Sequence, residues 1–122
     1  MRVEKKGRYY ELKACEYLKL KGYRILTTNF RTKCSEIDII AKDKGYIVFV
    51  EVKGRRKGSL VSGFEAVDRS KQKKIERGAK IYSQTNPDAS YRFDVLNIEE
   101  GENFRKYGLI KGAFYLGEEV CV

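Results

Sequence analysis

The 122-residue sequence contains no histidine. That absence removes Ser-His-Asp and Cys-His nucleophilic sites, and every histidine-ligated metal site. Cysteine is scarce: Cys15, Cys34 and Cys121 are odd in number and far apart, with no paired spacing. They exclude a disulfide framework or zinc ribbon and read as reduced packing residues. No apolar run approaches the roughly 20 residues needed to span a bilayer. The charged start, Met1 to Lys6, is not followed by the apolar core of a signal peptide. A cytoplasmic protein with no membrane partner is therefore expected. Acidic residues are in deficit, 17 against 26 Lys and Arg, which leaves a formal charge of +9. Such an excess points to a polyanionic partner. There is no internal repeat and no low-complexity tract. Hydrophobic residues make up 42%, enough for one core, and the length predicts a single domain over residues 1–122. Any catalysis must run on carboxylates, lysines and a hard cation held by oxygen.

Residues 5–21 read as a helix that Gly22 ends. Ala14, Cys15 and Leu18 form a narrow apolar stripe, and Glu11 falls in its middle. Either this helix is partly exposed and Glu11 snorkels, or Glu11 has a partner that offsets its burial. Strands are predicted at 23–30, 35–42 and 46–53, with Asn29 turn-like and "DKG" at 43–45 as a hairpin signal. The third strand is apolar on both faces, which places it centrally in a sheet. A flexible basic loop is expected over 54–63. A second helix follows over about 69–84, with Asp68 as N-cap and Asn86-Pro87 ending it. Lys71 lies inside its apolar stripe of Val67, Ile75, Gly78 and Tyr82. Strands at 91–98, carrying Asp94, and at 109–116, after a turn at 101–103, complete the chain. The order α-β-β-β-α-β-β predicts an α/β fold with a central mixed sheet flanked by helices.

The charged residues inside the apolar strands carry the chemistry. Glu36 and Asp38 share one face, as do Glu51 and Lys53. With a turn at Lys44-Gly45, residues whose numbers sum to 89 stand opposite. That register sets Asp38 across from Glu51 and Glu36 across from Lys53. A Glu–Lys pair is ordinary sheet decoration, but opposed carboxylates destabilise unless a cation or shared proton intervenes. A hard divalent ion, Mg²⁺ or Mn²⁺, suits an oxygen-only site. Lys53 would then hold an attacking water or a developing negative charge. This is the set that metal-assisted phosphodiester hydrolysis requires. Residues 53–80 hold ten Lys or Arg against three acids, so they carry +7 of the net +9. Arg55, Arg56, Lys57, Arg69, Lys73, Lys74 and Arg77 in this segment are expected to grip the phosphates of DNA.

These residues carry a resemblance. Asp38 followed by "EVK" at 51–53, with a Glu on the preceding helix, resembles the PD-(D/E)XK nuclease signature. The blocks "GRYYE" at 7–11, "SEIDIIA" at 35–41, "FVEVKGR" at 49–55 and "RFDVL" at 92–96 resemble the YraN family of bacterial proteins over nearly the whole chain. That family is regarded as similar to archaeal Holliday-junction resolvases and restriction endonucleases. The resemblance implies a restriction-endonuclease-like core. It implies that Asp38, Glu51 and Glu11 hold Mg²⁺, that Lys53 assists the nucleophile, and that Lys71 joins the site from the second helix. The chain departs from the family at Tyr10 and Ser35, where glycine is more usual, and Tyr10 is expected to crowd Glu11.

Three functions fit the sequence. The first is a Mg²⁺- or Mn²⁺-dependent DNA endonuclease acting on branched or recombining DNA, dimeric if it makes two symmetric cuts. The second is a nucleic-acid-binding protein with a nuclease-like fold and weak or no activity. The third is an adaptor whose basic surface docks an acidic protein.

Overall fold

The computed structural model describes residues 3–57 and 68–114, with side chains from Gly7 onward. The first helix, α1, runs Val3–Leu20. It ends as the glycine signal predicts. Gly22 takes a left-handed φ of +92°, its N–H bonds to the Lys19 carbonyl at 3.0 Å, and the Tyr23 N–H reaches the Leu18 carbonyl at 2.9 Å. These two bonds satisfy carbonyls that the helix leaves open. Strands β1 (Arg24–Arg31), β2 (Glu36–Asp43) and β3 (Tyr46–Arg56) follow, then α2 (Arg69–Ser83), β4 (Ser90–Glu100) and β5 (Arg105–Phe114). Asp68 caps α2 by accepting from the Lys71 N–H at 2.8 Å.

The five strands form one sheet in the order β1-β2-β3-β4-β5. Only the β3–β4 pairing is parallel, because α2 must carry the chain back across the sheet between them. β3 is central, as its two apolar faces require. One face packs Val48, Val50, Leu96 and Ile98 against Tyr10, Ala14 and Leu18 of α1. The other packs Ile47, Phe49, Phe93 and Val95 against Ile75 and Ala79 of α2. Fully burying a side chain such as Leu18 contributes about 1.5–3 kcal/mol.

Several elements differ from the sequence reading. β3 continues through Gly54, Arg55 and Arg56, which pair with Ile98, Glu99 and Glu100, so this segment is strand and not loop. The reason is Tyr10. Its ring lies flat on Gly54, where any Cβ would come within 2.1 Å of it. Tyr10 is thus absorbed into the core, only 4% exposed. β5 starts four residues before the predicted 109, because Tyr107 stacks on Tyr17 of α1 at 4.3 Å and anchors a stretch that is otherwise polar. Cys15 packs half-buried against the α1 core, but Cys34 is exposed and no packing residue. The expectations for residues 58–63, Val67, residues 115–116 and Cys121 lie outside the described residues. Among the described residues no helix is long and apolar enough to cross a membrane.

A buried polar network ties the sheet together on its α1 face, opposite the face that carries Glu51. Asp94 has no exposed surface. It accepts from Tyr23 Oη at 2.8 Å, Arg92 Nε at 2.8 Å and the Gly112 N–H at 3.0 Å. Arg92 also donates to Asp43 at 2.8 Å, and Lys111 reaches Asp43 at 3.3 Å. Burial pushes the Asp43 carboxyl up, but the hydrogen bonds from Arg92 and Lys111 outweigh it and lower the pKa overall. A β-bulge next to Asp94 lets Gly112, at φ +63°, turn its N–H inward. Asp94 is therefore a structural residue. Asp94→Ala leaves the Tyr23 hydroxyl and the Gly112 N–H without an acceptor and Arg92 with Asp43 alone, and should cost about 3–5 kcal/mol of stability, measurable as a lower midpoint in urea unfolding.

Candidate functional site

The β2–β3 hairpin adopts the expected register. Asp43↔Tyr46 through Ile39↔Val50 all stand opposite as residue pairs summing to 89. The ladder stops there, one pair short of Asp38 and Glu51. The cause is Asp38 itself, whose carboxylate accepts the Val52 N–H at 2.8 Å. A side chain thus takes the place of a strand carbonyl, and the two strands part. Glu36 does not oppose Lys53 as expected. It pairs with Arg31 across β1, with an ion pair at 2.9 Å. Lys53 instead stands beside the buried Asn97 of β4.

At this fork Asp38 and Glu51 still meet. Glu51 is only 7% exposed. Burial pushes its carboxyl up to about 8, reinforced by the charge of Asp38 and a hydrogen bond with it, while Lys71 and Lys53 pull the other way. Two carboxylates in hydrogen-bond contact imply a shared proton in the metal-free site. The face alternation holds: Ile47 and Phe49 face α2, and Glu51 continues that row to meet Lys71 Nζ at 3.6 Å. Lys71, the cation lodged in the α2 stripe, thereby finds its partner. Glu51 Oε1 is buried with no hydrogen-bond partner among the described residues.

Glu11 approaches from the α1 side. Burial pushes its carboxyl up, the charge of Asp38 adds to this, and a hydrogen bond from Asn29 opposes it. That bond, Asn29 Nδ2 to Glu11 Oε1, is 2.7 Å. Asn29 sits within β1 at φ +53°, a left-handed conformation that asparagine tolerates better than most residues. The sequence marks Asn29 only as turn-like, and its role in holding Glu11 was missed. An asparagine within a β-branched run is the one signal that could have found it. Among the described residues, no three His, Cys, Asp or Glu side chains gather as a ready-made metal-ligand group. Asp38 and Glu51 form the pair, and Glu11 is held by Asn29 beside it.

The expected phosphate-gripping residues divide. Arg55 is bridged to Glu99 at 3.0 Å, and Arg69 lies 3.6 Å from Glu76. Arg56, Lys57, Lys73, Lys74 and Arg77 are exposed. Lys57 Nζ lies 5.4 Å over the ring of Phe104.

The fold and site define an α/β protein with a carboxylate pair, Glu51 buried and Asp38 half-buried, flanked by lysines, where two central strands diverge. Residues 10–98 match the model of the uncharacterised protein family UPF0102. A UPF0102 protein of Persephonella marina is 44% identical over 115 residues, covering 91% of this chain and 94% of the relative. One from Clostridium acetobutylicum is 43% identical over 120 residues, covering 94% and 98%. A third, from Symbiobacterium thermophilum, is 41% identical over 115 residues, covering 89% and 95%. The chain belongs to the UPF0102 family, which is the YraN family its motifs resemble.

The raised Glu51 pKa has a consequence for stability. In the unfolded chain this carboxyl titrates near its ordinary 4.5, and in the folded one at about 8. Its stabilising contribution is complete below the unfolded value and is lost as pH rises through the folded value. In the absence of divalent metal, unfolding free energy should fall between pH 5 and pH 8, by at most about 1.4 kcal/mol per pH unit from this group. Glu51→Gln should flatten that decline in denaturant titrations at several pH values. Parallel slopes in the two proteins would contradict the assignment.

Proposed function

We propose that this chain is a metal-dependent DNA endonuclease that hydrolyses phosphodiester bonds in branched or recombination-intermediate DNA. The observation that carries the proposal is the Asp38–Glu51 pair at the strand fork, Glu51 buried and Asp38 half-buried, with Lys71 and Lys53 acting on it. Both carboxylates are hard oxygen donors, and Glu51 Oε1 offers a buried acceptor with no hydrogen-bond partner among the described residues. These features fit Mg²⁺ or Mn²⁺. When bound, the cation would polarise the phosphate and lower the pKa of a coordinated water.

The remaining roles fall to the chain's own groups. Asp38 and Glu51 would hold the cation in place of their shared proton. Lys53, on the same face of β3 as Glu51, offers an ammonium to the attacking water and to the charge that develops on the phosphoryl oxygens. Lys71, 3.6 Å from Glu51, favours the charged form of that carboxylate. Glu11, oriented by Asn29, places a third carboxylate nearby from α1. The exposed Lys73, Lys74 and Arg77 on α2 supply contacts to the DNA backbone that ignore sequence. The match to the PD-(D/E)XK pattern supports the same reading. Two symmetric cuts in a junction would call for a homodimer.

One observation favours a second reading. Lys71 already supplies Glu51 with a positive charge, so the fold can be stable without a cation. On this reading the chain binds nucleic acid and cuts it weakly or not at all.

The test is incubation with linear, nicked and four-way-junction DNA in Mg²⁺ or Mn²⁺. Cleavage by the wild type is expected, with Asp38→Ala or Lys53→Ala reducing the rate by about 10²-fold or more. Replacing Lys73, Lys74 and Arg77 together should weaken DNA binding on every sequence and flatten its salt dependence by nearly one unit of slope per lost contact. No cleavage of any substrate, or equal cleavage by Asp38→Ala, would sink the nuclease reading. Steeply salt-dependent binding that is indifferent to metal would then favour the second.

A further inference from the structure

We infer that the row Lys53, Arg55 and Lys57, ending at Phe104, is a track for single-stranded DNA, with Phe104 as the platform for an unpaired base. This deepens the proposed function and rests on it. The nuclease site engages one phosphodiester, and the track specifies what kind of DNA lies beside it.

The row follows from strand geometry. Ile47, Phe49 and Glu51 occupy the α2 face of β3. Lys53 and Arg55 continue that alternation, and Lys57 follows at the next alternate position. Alternate residues along a strand are about 6.6 Å apart, close to the phosphate repeat of an extended single strand. The row leads from the carboxylate pair to Phe104 over about 20 Å. It lies at the carboxyl ends of the two parallel strands, where α/β sheets commonly bind ligands.

Phe104 is built as a platform. It is a large apolar side chain, yet 40% exposed. Its ring lies against Gly101, where an added Cβ would come within 2.0 Å of the ring edge. The Gly101 N–H closes the turn on the Phe104 carbonyl at 2.9 Å. Lys57 Nζ sits over the ring at 5.4 Å. Glycine and lysine thus pin the aromatic in one pose at the surface instead of letting it collapse into the core.

Charge is complementary. Lys53, Arg55, Lys57 and, by strand alternation, Lys106 line this face, where Glu99 is already engaged by Arg55 at 3.0 Å. An aromatic beside a cationic groove is what unpaired bases stack on, whereas the bases of a duplex already stack on one another. The substrate is therefore DNA with a single-stranded arm next to the bond that is cut, such as a fork, flap or gap.

The chain contains no tryptophan, so Phe104→Trp introduces a lone fluorophore at the platform. In EDTA, its emission should be quenched by single-stranded and single-arm DNA and be unmoved by blunt duplex. Phe104→Ala should weaken single-strand binding by about 5- to 100-fold. Its blunt-duplex binding and thermal unfolding should match wild type. Unchanged single-strand affinity in Phe104→Ala, with duplex binding intact, overturns the track and leaves the DNA-acting reading standing. Absence of binding to any DNA at low salt removes both. Phe104-dependent binding that favours RNA over DNA overturns the assignment to DNA.

Discussion

Asp38 terminates a strand ladder with its own side chain. By accepting the Val52 N–H at 2.8 Å, it ends the β2–β3 pairing at Ile39 and Val50 and brings its carboxylate against Glu51. Everything at the candidate site follows from that fork. The opening allows α2 to reach Glu51 through Lys71 from one side, while Glu11 on α1 feels Asp38 from the other. Burial then makes two adjacent carboxylates costly, so they must share a proton, recruit a lysine or take a cation. The fold displays the recruited lysine, Lys71, and the proposed activity invokes the cation.

The opposite face of the sheet resolves a similar problem differently. Asp94 is more deeply buried than Glu51, but Tyr23, Arg92 and Gly112 fill its hydrogen-bonding capacity. The contrast separates a structural acid from a chemically available one. Asp94 locks α1, β4 and β5 together, whereas Glu51 keeps a buried oxygen with no hydrogen-bond partner among the described residues. Polar satisfaction, more than burial, distinguishes the two.

Much of this was legible in the residues. Alternation along "IVFVEVK" placed β3 centrally and aligned Glu51 with Lys53, and the hairpin turn set the register. Lys71 and Glu11 stood out because each interrupts an apolar stripe. What escaped was tertiary. Register alone paired Glu36 with Lys53, because nothing local shows that Asp38 would leave the ladder and hand Glu36 to Arg31. Gly54 read as a flexible turn, since only the fold reveals the Tyr10 ring beneath it. That Glu99, over forty positions later, stands beside Arg55 in β4 was equally hidden from the local sequence. The double role of Asn29, strained backbone and Glu11 partner, needed the helix and strand in place together.

The account turns on whether Asp38 and Glu51 accept a divalent cation. The most direct measurement is anomalous diffraction from crystals soaked in Mn²⁺. The account predicts a peak at the two carboxylates. Absence of a peak there, with Lys71 still paired to Glu51, would contradict it.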